Sequence, residues 1–133
     1  MKKLHPLLSV LFLISIGFGQ QIIPQITETY ENGNIKSITY HKKIRDSIVK
    51  VKVEVYFENG QKESESNYKD EELDGLETWW YENGQKKSGG TFKDGDGLET
   101  WWYENGQKES EVTYKDGEII SEKWWNEDGS VME

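Results

Sequence analysis

The sequence predicts an all-β fold, an elongated single-layer antiparallel meander of about five tandem β-hairpins, and three observations predict it. The stretch Asp74-Gly-Leu-Glu-Thr-Trp-Trp-Tyr-Glu-Asn-Gly-Gln-Lys86 recurs letter for letter at Asp96–Lys108, and a repeat of this length is one supersecondary unit that stacks on its neighbours. Each copy carries Asn-Gly between runs of aromatic and β-branched residues, the short-range signature of a hairpin. The hydrophobic fraction of 34 % is too low for a thick two-layer core, while the aromatic share of 13 % is too high for a disordered chain.

Residues 1–20 stand apart. Lys2 and Lys3 precede an apolar run from Leu7 to Phe18, and small Gly17 and Gly19 follow before Gln20. This is the order of a secretory signal peptide, helical and cleaved near Gly19 or Gln20. The run is shorter than the roughly 20 residues of a membrane span. A retained anchor or buried helix is the alternative. The chain has no cysteine, which excludes lipid attachment at the end of this segment and leaves stability to strand pairing and ring packing. The expected location is therefore outside the inner membrane: periplasmic, cell-surface or secreted. The formal charge of −9 becomes more negative once the two lysines leave, and so acidic a chain repels phosphate backbones, so no nucleic-acid partner is expected.

From residue 21 to 133 one repeat domain is expected. Its five units are centred on Gly33, Gly60, Gly84, Gly106 and Gly129, in Tyr30-Glu-Asn-Gly33, Phe57-Glu-Asn-Gly60, Tyr81-Glu-Asn-Gly84, Tyr103-Glu-Asn-Gly106 and the decayed Asn126-Glu-Asp-Gly129. Each Asn-Gly is read as a two-residue type I′ turn, because both residues tolerate the positive φ that this turn needs. Lys69-Asp-Glu-Glu-Leu-Asp-Gly75, Lys93-Asp-Gly-Asp-Gly97 and Lys115-Asp-Gly117 reverse the chain at the other end. About ten short strands result, and His41–Ser47 reads as an insertion that holds His41 in a solvated loop.

A two-residue turn at Asn83-Gly84 places Glu82 opposite Gln85, Tyr81 opposite Lys86, Trp79 opposite Ser88 and Glu77 opposite Gly90. Trp79, Tyr81 and Phe92 then share a core face with Val51, Val53, Val55, Phe57, Tyr68, Trp101, Tyr103, Val112, Tyr114 and Trp124. Gly89 and Gly90 are read as room for a ring from an adjacent hairpin, or as a bulge. The other face is charged and hydroxylated, and one row of rings crosses it: Tyr56, Trp80, Trp102 and Trp125. A contiguous aromatic row marks an interaction surface, unless lysine stems such as Lys87 lie over the rings and cover them. The first unit reaches its aromatic, Tyr40, one residue early, which requires a bulge or a capping role, and the last unit reads as the opposite cap.

These residues resemble a known family. Aromatic-Glu-Asn-Gly-Gln-Lys, then aromatic-Lys-Asp-Gly, then Gly-Leu-x-x-Trp is similar to the MORN-repeat variant of bacterial proteins over nearly all of Ile22–Glu133. The resemblance implies tandem hairpins in one sheet and no catalytic residues. Members are often labelled antitoxins of toxin–antitoxin systems, and MORN repeats serve as protein- or lipid-binding scaffolds. With an export signal, that role would be an immunity-like protein that sequesters a toxin outside the inner membrane.

Other chemistry is weaker. His41, Asp46 and Ser47 are near in sequence, which is not triad geometry. Asp94, Asp96 and Glu99, or Asp70, Glu72 and Asp74, cluster carboxylates without completing a calcium loop, and they read as turn chemistry. No enzyme activity, metal or cofactor is expected. The leading function is an exported scaffold that binds another protein, a toxin or an envelope protein, through Tyr56, Trp80, Trp102 and Trp125 or through a free sheet edge, which also permits self-association. The alternative is a glycan- or choline-binding module, since Trp124-Trp-Asn-Glu-Asp-Gly-Ser-Val-Met132 is similar to choline- and glucan-binding repeats, though the period here is longer.

Overall fold

Asn at the third position of each aromatic-Glu-Asn-Gly segment sets the reversal at the centre of its hairpin. In the computed structural model, which describes residues 21–133, the Asn83 Oδ1 accepts the Gln85 N–H at 2.9 Å. The Tyr81 N–H donates to the Gln85 carbonyl at 2.8 Å and the Gly84 N–H to the Tyr81 carbonyl at 2.9 Å. Only the glycine has positive φ, 84°. This is a three-residue loop, a type I turn closed by a glycine bulge, and it corrects the expected two-residue type I′ turn. The larger loop wins because it lets the Asn side chain cap a backbone N–H, as Asx turns do. Asp128 keeps the same bond to the Ser130 N–H at 2.8 Å, so the decayed last unit still turns.

The loop shifts the pairing by one residue, and a bulge shifts it back. Tyr81 faces Gln85 rather than Lys86, and Trp80 faces Lys86, but Trp79 faces Ser88 and Glu77 faces Gly90 as expected. The extra residue in the bulge is Lys87, and Glu63 and Glu109 take its place in the neighbouring units.

Type I′ geometry occurs at the other end of the hairpins. Asp94-Gly95 and Asp116-Gly117 have φ of 51°, 84°, 50° and 80°, and each loop is flanked by paired residues, Lys93 with Asp96 and Lys115 with Glu118. Asp70-Glu71 does the same without glycine, and the two residues this link has in excess are absorbed where Gly75, at φ 92°, bulges out opposite Asn67.

The strands are β1 (Ile22–Thr29), β2 (Ile35–Ile44), β3 (Ser47–Tyr56), β4 (Lys62–Lys69), β5 (Glu72–Trp80), β6 (Lys86–Lys93), β7 (Asp96–Trp102), β8 (Lys108–Lys115) and β9 (Glu118–Trp124). They form one antiparallel sheet in chain order, with no crossover. A tenth strand is reduced to a bridge between Trp125 and Val131. The insertion is not a loop. It lengthens β2 and β3 to ten residues each, so His41 lies half-buried within β2 opposite Lys50, beside a bulge. The expected signal peptide lies outside the described residues.

Pairing defines two faces. On the first, Ser37, Val55, Ser64, Trp79, Ser88, Trp101, Ser110 and Trp124 form one row across the sheet. Small and large residues alternate, and neighbouring rings close over the serines, leaving Ser88 1 % exposed and Ser110 2 %. Among the described residues no second layer covers this face and Val112 is the one buried hydrophobic, so it is not the core that the sequence suggested. The same small-under-large rule governs Phe92. A Cβ on Gly90 would lie 2.7 Å from its ring and one on Gly97 2.5 Å away. Gly90 thus makes room for a ring of its own strand, not of an adjacent hairpin. A Cβ on Gly89, by contrast, meets its nearest atom at 3.6 Å.

Gly90→Ala and Gly97→Ala should each destabilise the protein by about 1–3 kcal/mol, the cost of overpacking. Gly89→Ala should be neutral or stabilising by up to about 1 kcal/mol. Urea denaturation of the three variants measures the contrast, and equal losses at all three positions would contradict the packing described.

Candidate functional site

The bulges that restore the register also bring the expected ring row together. Tyr56, Trp80 and Trp102 pair with Lys62, Lys86 and Lys108, so on the second face rings and lysines alternate along one line that ends at Trp125. Each lysine leans toward the ring of the following unit: Lys62 Nζ is 6.0 Å from the Trp80 centroid, Lys86 5.5 Å from Trp102 and Lys108 4.9 Å from Trp125. A cation over an indole contributes about 0.5–1 kcal/mol at an exposed site. All four rings are half-buried. The lysines that cover the row are these three, whereas Lys87 lies on the other face, 5.7 Å from the Tyr81 ring.

The row is held by bonds that were not legible in the sequence. The hydroxyl of each unit's turn tyrosine donates to the backbone carbonyl of the next unit's row residue: Tyr30 to Tyr56 at 2.8 Å, Tyr81 to Trp102 at 2.9 Å and Tyr103 to Trp125 at 2.8 Å. Phe57 occupies the same position before Trp80 and has no hydroxyl to donate.

Tyr56 differs from the three tryptophans because it belongs to a buried polar cluster. Glu54, 5 % exposed, accepts from the Tyr40 and Tyr56 hydroxyls at 2.6 and 2.7 Å and from the Lys52 and Lys62 ammoniums at 2.9 and 2.8 Å. Lys62 also donates to Glu65 at 2.6 Å. Burial alone would raise the Glu54 carboxyl, but hydrogen bonds from Lys62, Tyr40, Lys52 and Tyr56 outweigh it and hold the group well below the usual carboxylate range. Burial and then the bond to Glu54 push both tyrosine hydroxyls well above their ordinary value. The cluster exists because Tyr40 comes one residue early, which puts it on the second face beside Glu54 rather than on the first with Tyr68, Phe92 and Tyr114. That offset was the sequence signal for it.

The surface opens where the pattern lapses. Lys62 and Lys108 have carboxylates at Glu65 and Glu111, but the position that would serve Lys86 is Gly89. A shallow groove of about 310 Å³ lies there, walled by Leu76, Leu98, Lys86 and Trp102 with Thr78 and Thr100 in its lining. Leu76 and Leu98 are half exposed.

The acidic turns fold as turn chemistry. Asp70, Asp94 and Asp116 occupy positive-φ positions, and Asp96 accepts from the Lys115 ammonium and, at 3.0 Å, from the Asp116 N–H. Those bonds, Lys115 first, hold Asp96 below its ordinary pKa. Among the described residues no group of three or more His, Cys, Asp or Glu is placed to hold a metal ion.

The family described as MORN repeat variant matches residues 51–70, 73–94 and 95–116. Three units are similar to the MORN repeat variant. Each matched segment ends on the first residue of a tight Asp turn, Asp70, Asp94 or Asp116, so each matched unit is one hairpin with the Asn-Gly loop at its centre. No curated protein and no solved structure matches the chain.

Phe57→Tyr should add the missing bond to the Trp80 carbonyl and stabilise the protein by about 0.5–1.5 kcal/mol. An unchanged urea midpoint would mean that the tyrosine-to-carbonyl bonds contribute nothing. Glu54→Gln should destabilise by about 2–4 kcal/mol at pH 7, because two lysines and two hydroxyls lose their shared acceptor charge. The folded carboxyl titrates below its unfolded value, so its contribution is complete above about pH 4.5 and is lost as pH falls toward the depressed folded value. Wild-type stability should therefore fall more steeply below pH 4.5 than that of Glu54→Gln, and parallel curves would contradict the cluster.

Proposed function

We propose that the chain is a non-enzymatic, exported scaffold that binds another protein, with residues 21–133 forming one MORN-variant array whose units at Gly33 and Gly129 are diverged ends. The observation that carries this reading is a sheet of nine strands with neither face covered by a second layer among the described residues, on which one row of rings runs from Tyr56 through Trp80 and Trp102 to Trp125. Large rings left half-exposed in a contiguous line suit a protein partner more than solvent.

The contact on this face centres on the groove beside Trp102. Lysines screen Trp80, Trp102 and Trp125 alike, but Gly89 leaves the strip before Trp102 without a side chain, and Leu76 and Leu98 supply apolar walls. A partner's apolar or neutral side chain fits such a gap better than a cation does, since Lys86 already stands over the ring. An antitoxin-like role, in which the partner is an exported toxin, is the specific form that the family resemblance suggests.

A crosslinked pull-down from the envelope fraction of the native host, using the full chain beside Trp80→Ala/Trp102→Ala, tests the reading. One protein recovered by the wild type and reduced at least tenfold with the folded variant is the expected result. Equal recovery by both removes the ring row from the account. Recovery of cell-wall glycan alone replaces the protein partner with a carbohydrate.

A further inference from the structure

Both faces carry a line of tryptophans, but only one line has its cations supplied by the chain. On the second face Lys62, Lys86 and Lys108 stand over Trp80, Trp102 and Trp125. On the first face Trp79, Trp101 and Trp124 have no ammonium over them among the described residues. Two positions before each, on the same strand and the same face, stands a glutamate: Glu77, Glu99 and Glu122. Side chains two apart on a strand lie about 6.7 Å from one another, so each of β5, β7 and β9 presents one indole with a carboxylate beside it.

These carboxylates are unspent. None of the eight ion pairs among the described residues uses Glu77, Glu99 or Glu122. Two of the three are oriented by neutral donors: Glu77 accepts from the Ser66 hydroxyl at 3.0 Å and Glu99 from the Tyr114 hydroxyl at 3.3 Å. Trp124 is 45 % exposed and Trp79 and Trp101 are half-buried, with no second layer over them among the described residues. A ring and a carboxylate together attract a cation more than either alone, and the formal charge of −9 adds long-range attraction of the same sign.

Spacing narrows the partner. The three pairs lie on alternate strands, so they repeat every two inter-strand distances, about 9.6 Å. A polyproline II segment rises about 3.1 Å per residue with three residues per turn, so side chains three apart fall on one side about 9.3 Å from each other. A β-strand fails this match, because its residues three apart point to opposite sides. We propose that the first face of the sheet binds an extended, Lys- or Arg-rich polypeptide segment of another protein, laid across β5 to β9 with one basic residue in every three over Trp79, Trp101 and Trp124 and paired with Glu77, Glu99 and Glu122. Seven residues, Lys-x-x-Lys-x-x-Lys, span the site. It is separate from the groove beside Trp102, on the opposite side of the sheet.

Two peptides of identical composition test the inference on the full chain: (Lys-Pro-Pro)3, and Lys3-Pro6 with the same lysines in a block. Titration is followed by intrinsic tryptophan fluorescence and by calorimetry at low salt. The periodic peptide should bind at least tenfold more tightly than the block peptide and weaken steeply with salt. Glu77→Gln/Glu99→Gln/Glu122→Gln, which keeps side-chain size, should lose at least tenfold in affinity with an unchanged urea midpoint. Trp79→Ala/Trp101→Ala should lose as much, and Trp80→Ala/Trp102→Ala should bind as the wild type does. Equal binding of the two peptides, no binding at millimolar peptide, or loss confined to the Trp80/Trp102 variant would each overturn the proposal. So would choline binding to the face as tightly as the periodic peptide, which would assign it to single small cations. Because the two tryptophan pairs lie on opposite faces, failure here leaves the protein captured through Trp102 unaffected, and the reverse also holds.

Discussion

Everything in the described residues depends on stabilising a sheet that has no second layer among them. A conventional core removes apolar side chains from water on one face of each element, whereas here a ring can be covered only by its neighbours in the same sheet. The solution is alternation across strands. Serine or glycine stands between large residues, so that each ring lies over a small neighbour, as Trp79 and Trp101 do on either side of Ser88 and as Phe92 does over Gly90 and Gly97. The most buried side chains are consequently serines, and the Ser88 hydroxyl lies buried without a partner among the described residues. Burial of area and burial of hydrophobic residues come apart in such a sheet, because the atoms shielded best are those of the floor.

The same constraint makes the hairpin ends matter. With few long-range contacts beyond adjacent strands, register must be set locally, and it is set by paired devices: an Asx-capped three-residue loop, a bulge that compensates for it, and a tight Asp turn at the far end. Tyrosine hydroxyls that reach the next unit's carbonyl then lock successive hairpins together. These bonds explain why the repeat has a strict length in its central copies and tolerates two extra residues only where Gly75 can adopt a bulged conformation.

The two faces share an architecture and differ in charge. One covers its tryptophans with its own lysines and satisfies most of those lysines with glutamates, and its buried carboxylate, Glu54, is saturated by four donors. On the other, among the described residues, no lysine stands over Trp79, Trp101 or Trp124 and none pairs with Glu77, Glu99 or Glu122, although Lys87 reaches the Tyr81 ring there. A chain that presents a self-neutralised surface on one side and an acidic aromatic surface on the other is built to distinguish partners by face.

Much of this was legible in the sequence, and the misses have specific causes. The hairpin meander, its strand order, the outer register and the alignment of Tyr56, Trp80, Trp102 and Trp125 follow from period and alternation, because the side-chain period of a strand is two whatever the turn. The turn type was misread because Asn-Gly satisfies two different loops, and only the bond from Asn83 to the Gln85 N–H decides between them. The outer register survived that error because Lys87 is the compensating bulge. The Glu54 cluster was visible only as a one-residue offset at Tyr40, and which face a ring occupies after an offset depends on bulges on both strands. By itself the sequence determined a one-layer sheet of tandem hairpins and which residues alternate along it. Only the tertiary structure decided which lysine covers which ring and which carboxylate stays unpaired, because those contacts cross from one repeat to the next and are set by bulges that periodicity does not record.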